Sequence, residues 1–541
     1  MTATKAGPER VNVSAPGRAA ARLILRQARR GAAIVALTAT GLSALVAAQY
    51  RTTFADSIDA DAMRALAENP AVRILFGAPL ALDDPGGFTV WRTGTPVLVL
   101  CGVWALLAAT RLTRGEEDAG HWDLLLGGRL RRADLLVRCV GTLWLASIVI
   151  ALGVGAGLVV TGTDRTGAVL HAVSVFGTTA AFAGVGLLAA QLLPSRAAAT
   201  GLASAVLGVC LLLRMLSDGV AALAWTAWLT PFGIAARVAP YAENRVEPLF
   251  VLLVFAVAPA VCALVAVGGR DLGGAVITLS DTRAARTRLL GSVTGFAVRR
   301  ALAPTTGWAV GIAAYFLLIG ALISSILEFF EKNPRFAELA AAAGFGGLGS
   351  ATGFAAALFA LLAIPSGLYT ATRITAIAAD EKARRWTALH ALPLSRYRSA
   401  GTEIAITAAG LGALLLTAAV AMWAGAVLTD APLGLGDALT GAANVAPVAL
   451  LALGAAVLAL GWYPDAVGVI GAVPVAGGFL LDVIAQSTGA PAWVREISPF
   501  AHLAAVPDAA PDWPATAALT TITAAMAAIG LYGYAHRDLR G

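Results

Sequence analysis

Adjacent carboxylates, Asp83 and Asp84, stand in the stretch LDDPGG at 82–87. Paired acids can share acid and base work, and in an external loop of a membrane protein they would suit a membrane-embedded glycosyltransferase. Asp-Asp-Pro-Gly-Gly is also ordinary turn chemistry. The phosphate loop G-x-x-x-x-G-K-[ST] is missing, because none of the three lysines follows a glycine. The histidines at 121, 171, 390, 502 and 536 show no metal-ligand spacing, so neither a metal site nor a catalytic residue is expected. What remains is charge. Between Arg114 and Asp134 the stretch RGEEDAGHWDLLLGGRLRRAD carries nine charged side chains, in a chain only 13% charged.

The elements that must carry this block are membrane helices. The 541 residues are 58% hydrophobic with a mean hydropathy of +0.77, beyond the range of a soluble domain. Twelve apolar runs are long enough to cross a hydrocarbon layer of about 30 Å. They cover 31–50, 94–110, 139–161, 168–192, 198–217, 248–268, 307–327, 350–370, 404–427, 441–462, 467–484 and 514–535. Unpaired backbone is not tolerated in lipid, so helices are expected, and continuous apolar runs exclude an alternating β-barrel. Lys5, Arg10, Arg18, Arg22, Arg26, Arg29 and Arg30 precede the first run, and cationic clusters follow the second, sixth and eighth. The positive-inside rule puts these clusters and both termini in the cytoplasm of a multi-pass protein of the cell membrane. The net charge of +7 is then a mark of topology, and no nucleic-acid partner is expected. The end of the first run, SALVAAQY, has the look of a signal-peptidase site, but the polar stretch ahead of it is too long for an n-region. An uncleaved span is expected. Cys101, Cys139, Cys210 and Cys262 lie in apolar runs and read as small hydrophobes, not as disulfides or metal ligands.

The chain is written twice. EDAGHWDLLLGGRLRR, from Glu117, aligns without gaps to EKARRWTALHALPLSR, from Glu381, at an offset of 264. Glu117 matches Glu381, Trp122 matches Trp386, Leu125 matches Leu389, Leu130 matches Leu394 and Arg132 matches Arg396. ATRLT at 109–113 faces ATRIT at 371–375, and ENP at 68–70 faces KNP at 332–334. TPFG at 230–233 faces SPFA at 498–501, and GRDL at 269–272 faces HRDL at 536–539. Six runs per half, an even number, give both halves the same orientation, as parallel repeats about an axis along the membrane normal. The expectation is an all-α integral membrane protein of twelve transmembrane helices, built as two six-helix repeats. The first half covers 1–272, a cytoplasmic linker with an amphipathic helix covers 273–300 and holds Arg283, Arg286 and Arg288, and the second half covers 301–541.

Nine charges at mid-bilayer would cost more than about 20 kcal/mol, so the block lies outside lipid. Trp122, Leu125, Leu126 and Arg129 fall on one stripe of a helix, as do Trp386, Leu389, His390 and Pro393. The pattern predicts a short amphipathic cytoplasmic helix over 114–132, repeated over 380–396, with acids at the end where the helix dipole favours them. A solvated loop whose bases enforce topology is the bland alternative. Two gapless copies, each with an apolar stripe unmatched elsewhere in the chain, point instead to a docking partner.

At these motifs the chain resembles the permeases of ABC-2 type exporters (a type V ABC exporter-like pseudo-dimer), and most closely the fused two-half permeases of actinobacterial antibiotic exporters of the tetronasin type. The resemblance runs over the full length. Its marks are a basic amphipathic helix before the first and seventh runs (RLILRQARR, FAVRRALAP), the E-x-x-x-x-W-x-x-L blocks, LPLSR at 392–396, and the P-F segments before the sixth and twelfth runs. The first block departs from the pattern, ending in GGRLRR.

The resemblance implies that the blocks are coupling helices, with Glu117, Trp122, Arg132, Glu381, Trp386 and Arg396 as contacts to a separate ABC ATP-binding protein. Two copies of that protein would dock under one permease, bind ATP and Mg, and on closing tilt the halves from inward-open to outward-open. It also implies short re-entrant helices at an outer gate around Pro231, Phe232, Pro499 and Phe500. A substrate path lined by the second and fifth helices would make Trp104, Phe354 and Phe359 candidates for an apolar drug cavity, though each reads equally as packing.

Arg214 and Asp482, the two charges within runs, occupy repeat-related positions. Arg214 can pair with Asp218 along one helix face and snorkel outward while Asp482 caps its span, or the two can meet at the outer gate. The function expected is that of a transport subunit, not an enzyme, exporting amphipathic small molecules such as antibiotics or drugs through the membrane lipid. Export of a lipid or cell-envelope precursor is an alternative. An ion-coupled secondary transporter would need ionisable groups or broken helices at mid-depth, which the sequence does not offer.

Overall fold

The computed structural model describes residues 16–50, 73–74, 77–277, 289–332, 349–386, 393–488 and 490–538. All regular structure among them is helical, and eleven helices are long and apolar enough to cross a membrane. The chain is an all-α, multi-pass membrane protein. Its contacts divide it into two compact units, Met1–Thr282 and Arg283–Gly541.

The first unit holds six long helices: α1 (Pro16–Gln49), α2 (Pro85–Thr110), α3 (Arg132–Val160), α4 (Arg165–Leu192), α5 (Arg196–Gly219) and α6 (Glu247–Gly268). The second holds α7 (Val293–Gly320), α8 (Ala351–Lys382), α9 (Arg396–Leu428), α10 (Ala446–Trp462), a broken α11, and α12 (Trp513–His536). Local chemistry sets their starts. Asp84, Asp164, Ser195, Ser292, Ser350, Ser395 and Asp512 each accept a hydrogen bond from a backbone N–H of the turn they cap. Asp84 is thereby spent as the cap of α2, taking the N–H groups of Gly86 and Gly87 at 2.7 and 2.9 Å, so turn chemistry accounts for half of the carboxylate pair.

Inside each unit the packing follows the same order. The first helix lies on the third, and the fourth lies between the second and the sixth (α1 on α3, α4 between α2 and α6; α7 on α9, α10 between α8 and α12). The fourth helix is the most enclosed span of each unit, buried over 72% of its apolar window in α4 and 78% in the span that ends with α10. Lipid supplies no hydrophobic drive between helices, so small residues set how close backbones come. Gly177 and Gly184 of α4 face Leu252 and Pro259 of α6, and Gly454 and Gly461 of α10 face Thr523 and Gly530 of α12. A methyl group at Gly461 would strike the Gly530 backbone.

Two expectations change. The run at 467–484 is not a regular span: it consists of Val467–Ala472, a π-turn over Val473–Gly477, and Gly478–Thr488. Pro474 has no N–H to give and its ring crowds the preceding turn, which widens. The basic segment before the first run is not a separate helix either. It continues into α1, a single helix of 34 residues and about 51 Å, longer than the hydrocarbon layer. Lys5, Arg10, ENP at 68–70, most of KNP at 332–334, and Arg283, Arg286 and Arg288 lie outside the described residues.

Candidate functional site

The first charged block leaves the end of α2 through a π-turn, Arg111–Gly115, followed by one helical turn, Glu116–Asp118. Gly120, at φ 73°, then bends the chain into a second short helix, His121–Leu126. The left-handed conformation there is one that glycine adopts without steric cost. Glu117 turns inward. Arg270 grips its carboxylate with both guanidinium arms, at 2.7 and 2.6 Å, and the Gly273 N–H donates to it at 2.7 Å. Arg114 adds its charge at 3.1 Å. Arg270 also donates to Gln191 at the end of α4, and Arg132, at the start of α3, donates to the Arg270 carbonyl. Glu117 and Arg270 are 2% and 1% exposed at the side chain. Such a bidentate pair fixes geometry as well as charge, and it ties the ends of α2, α4 and α6 to the start of α3.

Trp122 is 3% exposed and packs on Ala20 of α1 and Leu135 of α3, with Leu125, Leu126, Leu130 and Leu272 around them. This corrects the expected stripe. The helix stops at Leu126, which leaves Arg129 off it, and the apolar residues find their partner within their own unit. The large apolar side chain left outward is Leu124, 81% exposed.

The second block begins directly on α8. Glu381 receives Arg537 at 2.5 Å, and Arg396, at the start of α9, donates to the Arg537 carbonyl at 2.8 Å. Glu381 and Arg396 match Glu117 and Arg132 at the offset of 264, and Arg537 matches Arg270 through the paired HRDL and GRDL, at 267. Trp386 is 5% exposed among Ile374, Ala400 and Tyr534, with the Arg300 guanidinium 5.2 Å from its ring. Arg300 bridges Asp380 and Glu403, reaching Glu403 at 2.6 Å, and Arg373 reaches Glu403 at 3.1 Å. Leu389 and His390 lie outside the described residues.

At the other ends of the helices each P-F segment opens a short helical turn capped by the residue before it. Thr230 accepts from Gly233 N–H at 2.9 Å ahead of Pro231–Arg237, and Ser498 accepts from Phe500 N–H at 3.2 Å ahead of Pro499–His502. Phe232 lies 5.1 Å from Phe182 of α4, and Phe500 lies 5.6 Å from Phe479 of α11.

A family model described as the C-terminal domain of the multidrug efflux system permease Rv1217c matches residues 88–267 and 290–535. The chain belongs to this family of efflux permeases. The multidrug efflux system permease protein Rv1217c of Mycobacterium tuberculosis (strain ATCC 25618 / H37Rv) is 27% identical over 530 residues, covering 96% of this chain and 94% of its own. The chain is therefore a transport subunit of an efflux system, carried in a membrane by its apolar helices.

Within this permease the remaining expected residues are placed as follows. Arg214 pairs with Asp218 at 2.9 Å along α5, as its spacing predicts, and Asp482 meets Arg495 at 3.4 Å. Trp104 packs inside the first unit, its indole against Gly31 of α1. Phe354 is 4% exposed, and Phe359, fully buried, stacks on Phe316 of α7 with ring centres 5.5 Å apart. Both are core residues of the second unit as the structure stands. Among the described residues no cluster of histidine, cysteine or carboxylate could hold a metal. The residues that sequence reasoning missed are the arginines that receive the block glutamates, Arg270 and Arg537. Their signal was on view in the paired GRDL and HRDL, to which no role was given.

Proposed function

We propose that this permease is the transmembrane part of an ATP-driven exporter of amphipathic small molecules such as antibiotics and drugs, the two halves acting as parallel repeats with both termini cytoplasmic. A separate ABC ATP-binding protein, two copies per permease, binds ATP and Mg and docks against the two charged blocks. The observation that supports this reading is the clasp of glutamate and two arginines built at the same place in each half. A block held at a buried ion pair moves as one body with its helix ends, which is what a lever between a hydrolysing partner and a membrane path requires. Glu117, Trp122, Arg132, Glu381, Trp386 and Arg396 then set the shape of the docking surface from inside, and exposed residues such as Leu124 and Arg129 meet the partner.

Copurification tests the proposal. The tagged chain is expressed with neighbouring open reading frames, and an ATP-binding protein is expected at about twofold molar excess. Leu124→Asp with Arg129→Glu, which leave the clasp intact, should release it. A chain that purifies alone and drives efflux without ATP overturns the reading.

A further inference from the structure

α5 begins beside the charged block, where the Arg196 N–H donates to Asp118 at 2.9 Å, and its 24 residues run about 36 Å away from it. At that far end a cavity of about 340 Å³ opens within the first unit, between α2, α4, the end of α5 and the Pro231–Arg237 helix. Trp91, Leu98 and Phe232 give it apolar walls, while four arginines, Arg73, Arg214, Arg237 and Arg245, face two carboxylates, Asp218 and Glu243. Among the described residues, four against two leaves two positive charges in excess. Asp218 is held by Arg214, whose side chain is 5% exposed, and Glu243 is held by Arg245. Arg237 leans on the Trp228 ring at 5.2 Å, and its Nε is buried with no hydrogen-bond partner. Buried as it is, that atom does not reach the cavity; the accessible charge is that of Arg73, exposed at the rim.

The placement runs against topology. On the orientation proposed above, this end is the outer one, where arginine is disfavoured, and ionisable groups retained in a membrane segment mark a binding path. The repeat-related position in the second half carries the opposite charge, Asp482, which meets Arg495. We infer that the cavity binds an anionic group, a carboxylate or a phosphate, borne on an apolar body. The anion meets the arginine-rich side, Arg73 foremost, and the body lies along Trp91, Leu98 and Phe232. The outward placement rests on the orientation proposed above, whereas the cavity and its charges do not depend on ATP, so the site can stand where the ATP-driven reading fails.

The test uses the full chain in phosphatidylcholine nanodiscs, titrated with 11-(dansylamino)undecanoic acid and with its uncharged methyl ester. The acid is expected to bind at least about tenfold more tightly than the ester, the scale of one charge-assisted hydrogen bond. Arg73→Gln with Arg237→Gln should abolish that preference while leaving the unfolding midpoint in place. Should the double variant unfold, Arg73→Gln alone, at the exposed rim, serves in its place. Equal binding of acid and ester, or a preference unchanged in a folded variant, overturns the inference. Phosphatidylglycerol in the nanodisc separates the sources: competition with the probe identifies a lipid headgroup as an occupant, and its absence leaves the carboxylate of a free amphiphile.

Discussion

Glu117 and Glu381 hold matching places in the two halves, yet the first is sealed and the second is less fully enclosed. Glu117 meets three cationic or N–H partners, Arg270, Gly273 and Arg114, and the Glu117–Arg270 pair is 2% and 1% exposed. Glu381 takes one arm of Arg537, and that pair is 7% and 16% exposed. The second half buries its acid elsewhere. Glu403 of α9, 2% exposed, lies between Arg300 and Arg373, from α7 and α8. The two units thus share where the tie is made and not how much charge is invested there. In the first half the sealed pair joins α2 to the end of α6, and in the second it joins α7, α8 and α9.

The largest expected effect tests that difference directly. Arg270→Ala leaves the Glu117 carboxylate buried without its main partner, which costs about 3–5 kcal/mol. Arg537→Ala removes one partly wet bond from Glu381 and costs about 1–2 kcal/mol. Thermal unfolding of the detergent-purified chain, followed by the monodisperse fraction, should rank them in that order; equal losses would remove the distinction between a sealed and a less enclosed clasp.

A second measurement inverts the ranking within the second half. Glu403→Gln strips two arginines of their shared anion, whereas Glu381→Gln keeps a neutral acceptor beside a single arginine near water. Glu403→Gln should be the more destabilising by about 1–3 kcal/mol. If Glu381→Gln proves worse, the block glutamate carries the load in both halves and the contrast fails.

Much of this was legible from the chain itself. The 264-residue offset picked out Glu117, Trp122 and Arg132 with their partners, and all six sit at the helix ends where the clasps form. The clasps were not legible, because Glu117 and Arg270 are 153 residues apart and no local period relates them. Periodicity found the apolar stripe at Trp122 but not what it faces, since a stripe packs equally well on α1 and α3 or on another protein. Glu403 escaped because it stands one residue before an apolar run and reads as a flank. Among the described residues eleven of the twelve runs form helices long and apolar enough to cross a membrane, and the run at 467–484 is helical with a π-turn beside Pro474.

The tryptophans allow a finer comparison. Both are enclosed, but Arg300 lies over the Trp386 ring, while among the described residues no cation–ring contact is found at Trp122. Phenylalanine keeps an aromatic face in each place and weakens the attraction for a cation, so Trp386→Phe should lose about 0.5–1 kcal/mol beyond the loss in Trp122→Phe. Removing the guanidinium first, in Arg300→Gln, should erase that excess if the cation–ring contact is its source; an excess that survives would assign it to packing against Ile374 and Tyr534.

The smallest expected effect on stability falls at Leu124. At 81% exposure it makes little contact with its own half, so Leu124→Asp should shift stability by no more than about 0.5 kcal/mol. Any loss of partner or of efflux in that variant is then a loss of surface and not of fold, which the clasp variants cannot separate. Placed beside Arg270→Ala, it separates the inner face of the block, which holds the helices, from its outer face, the proposed docking surface. If Leu124→Asp alters neither efflux nor copurification while Arg270→Ala abolishes both, the block acts through its inner face, and the partner engages the permease elsewhere.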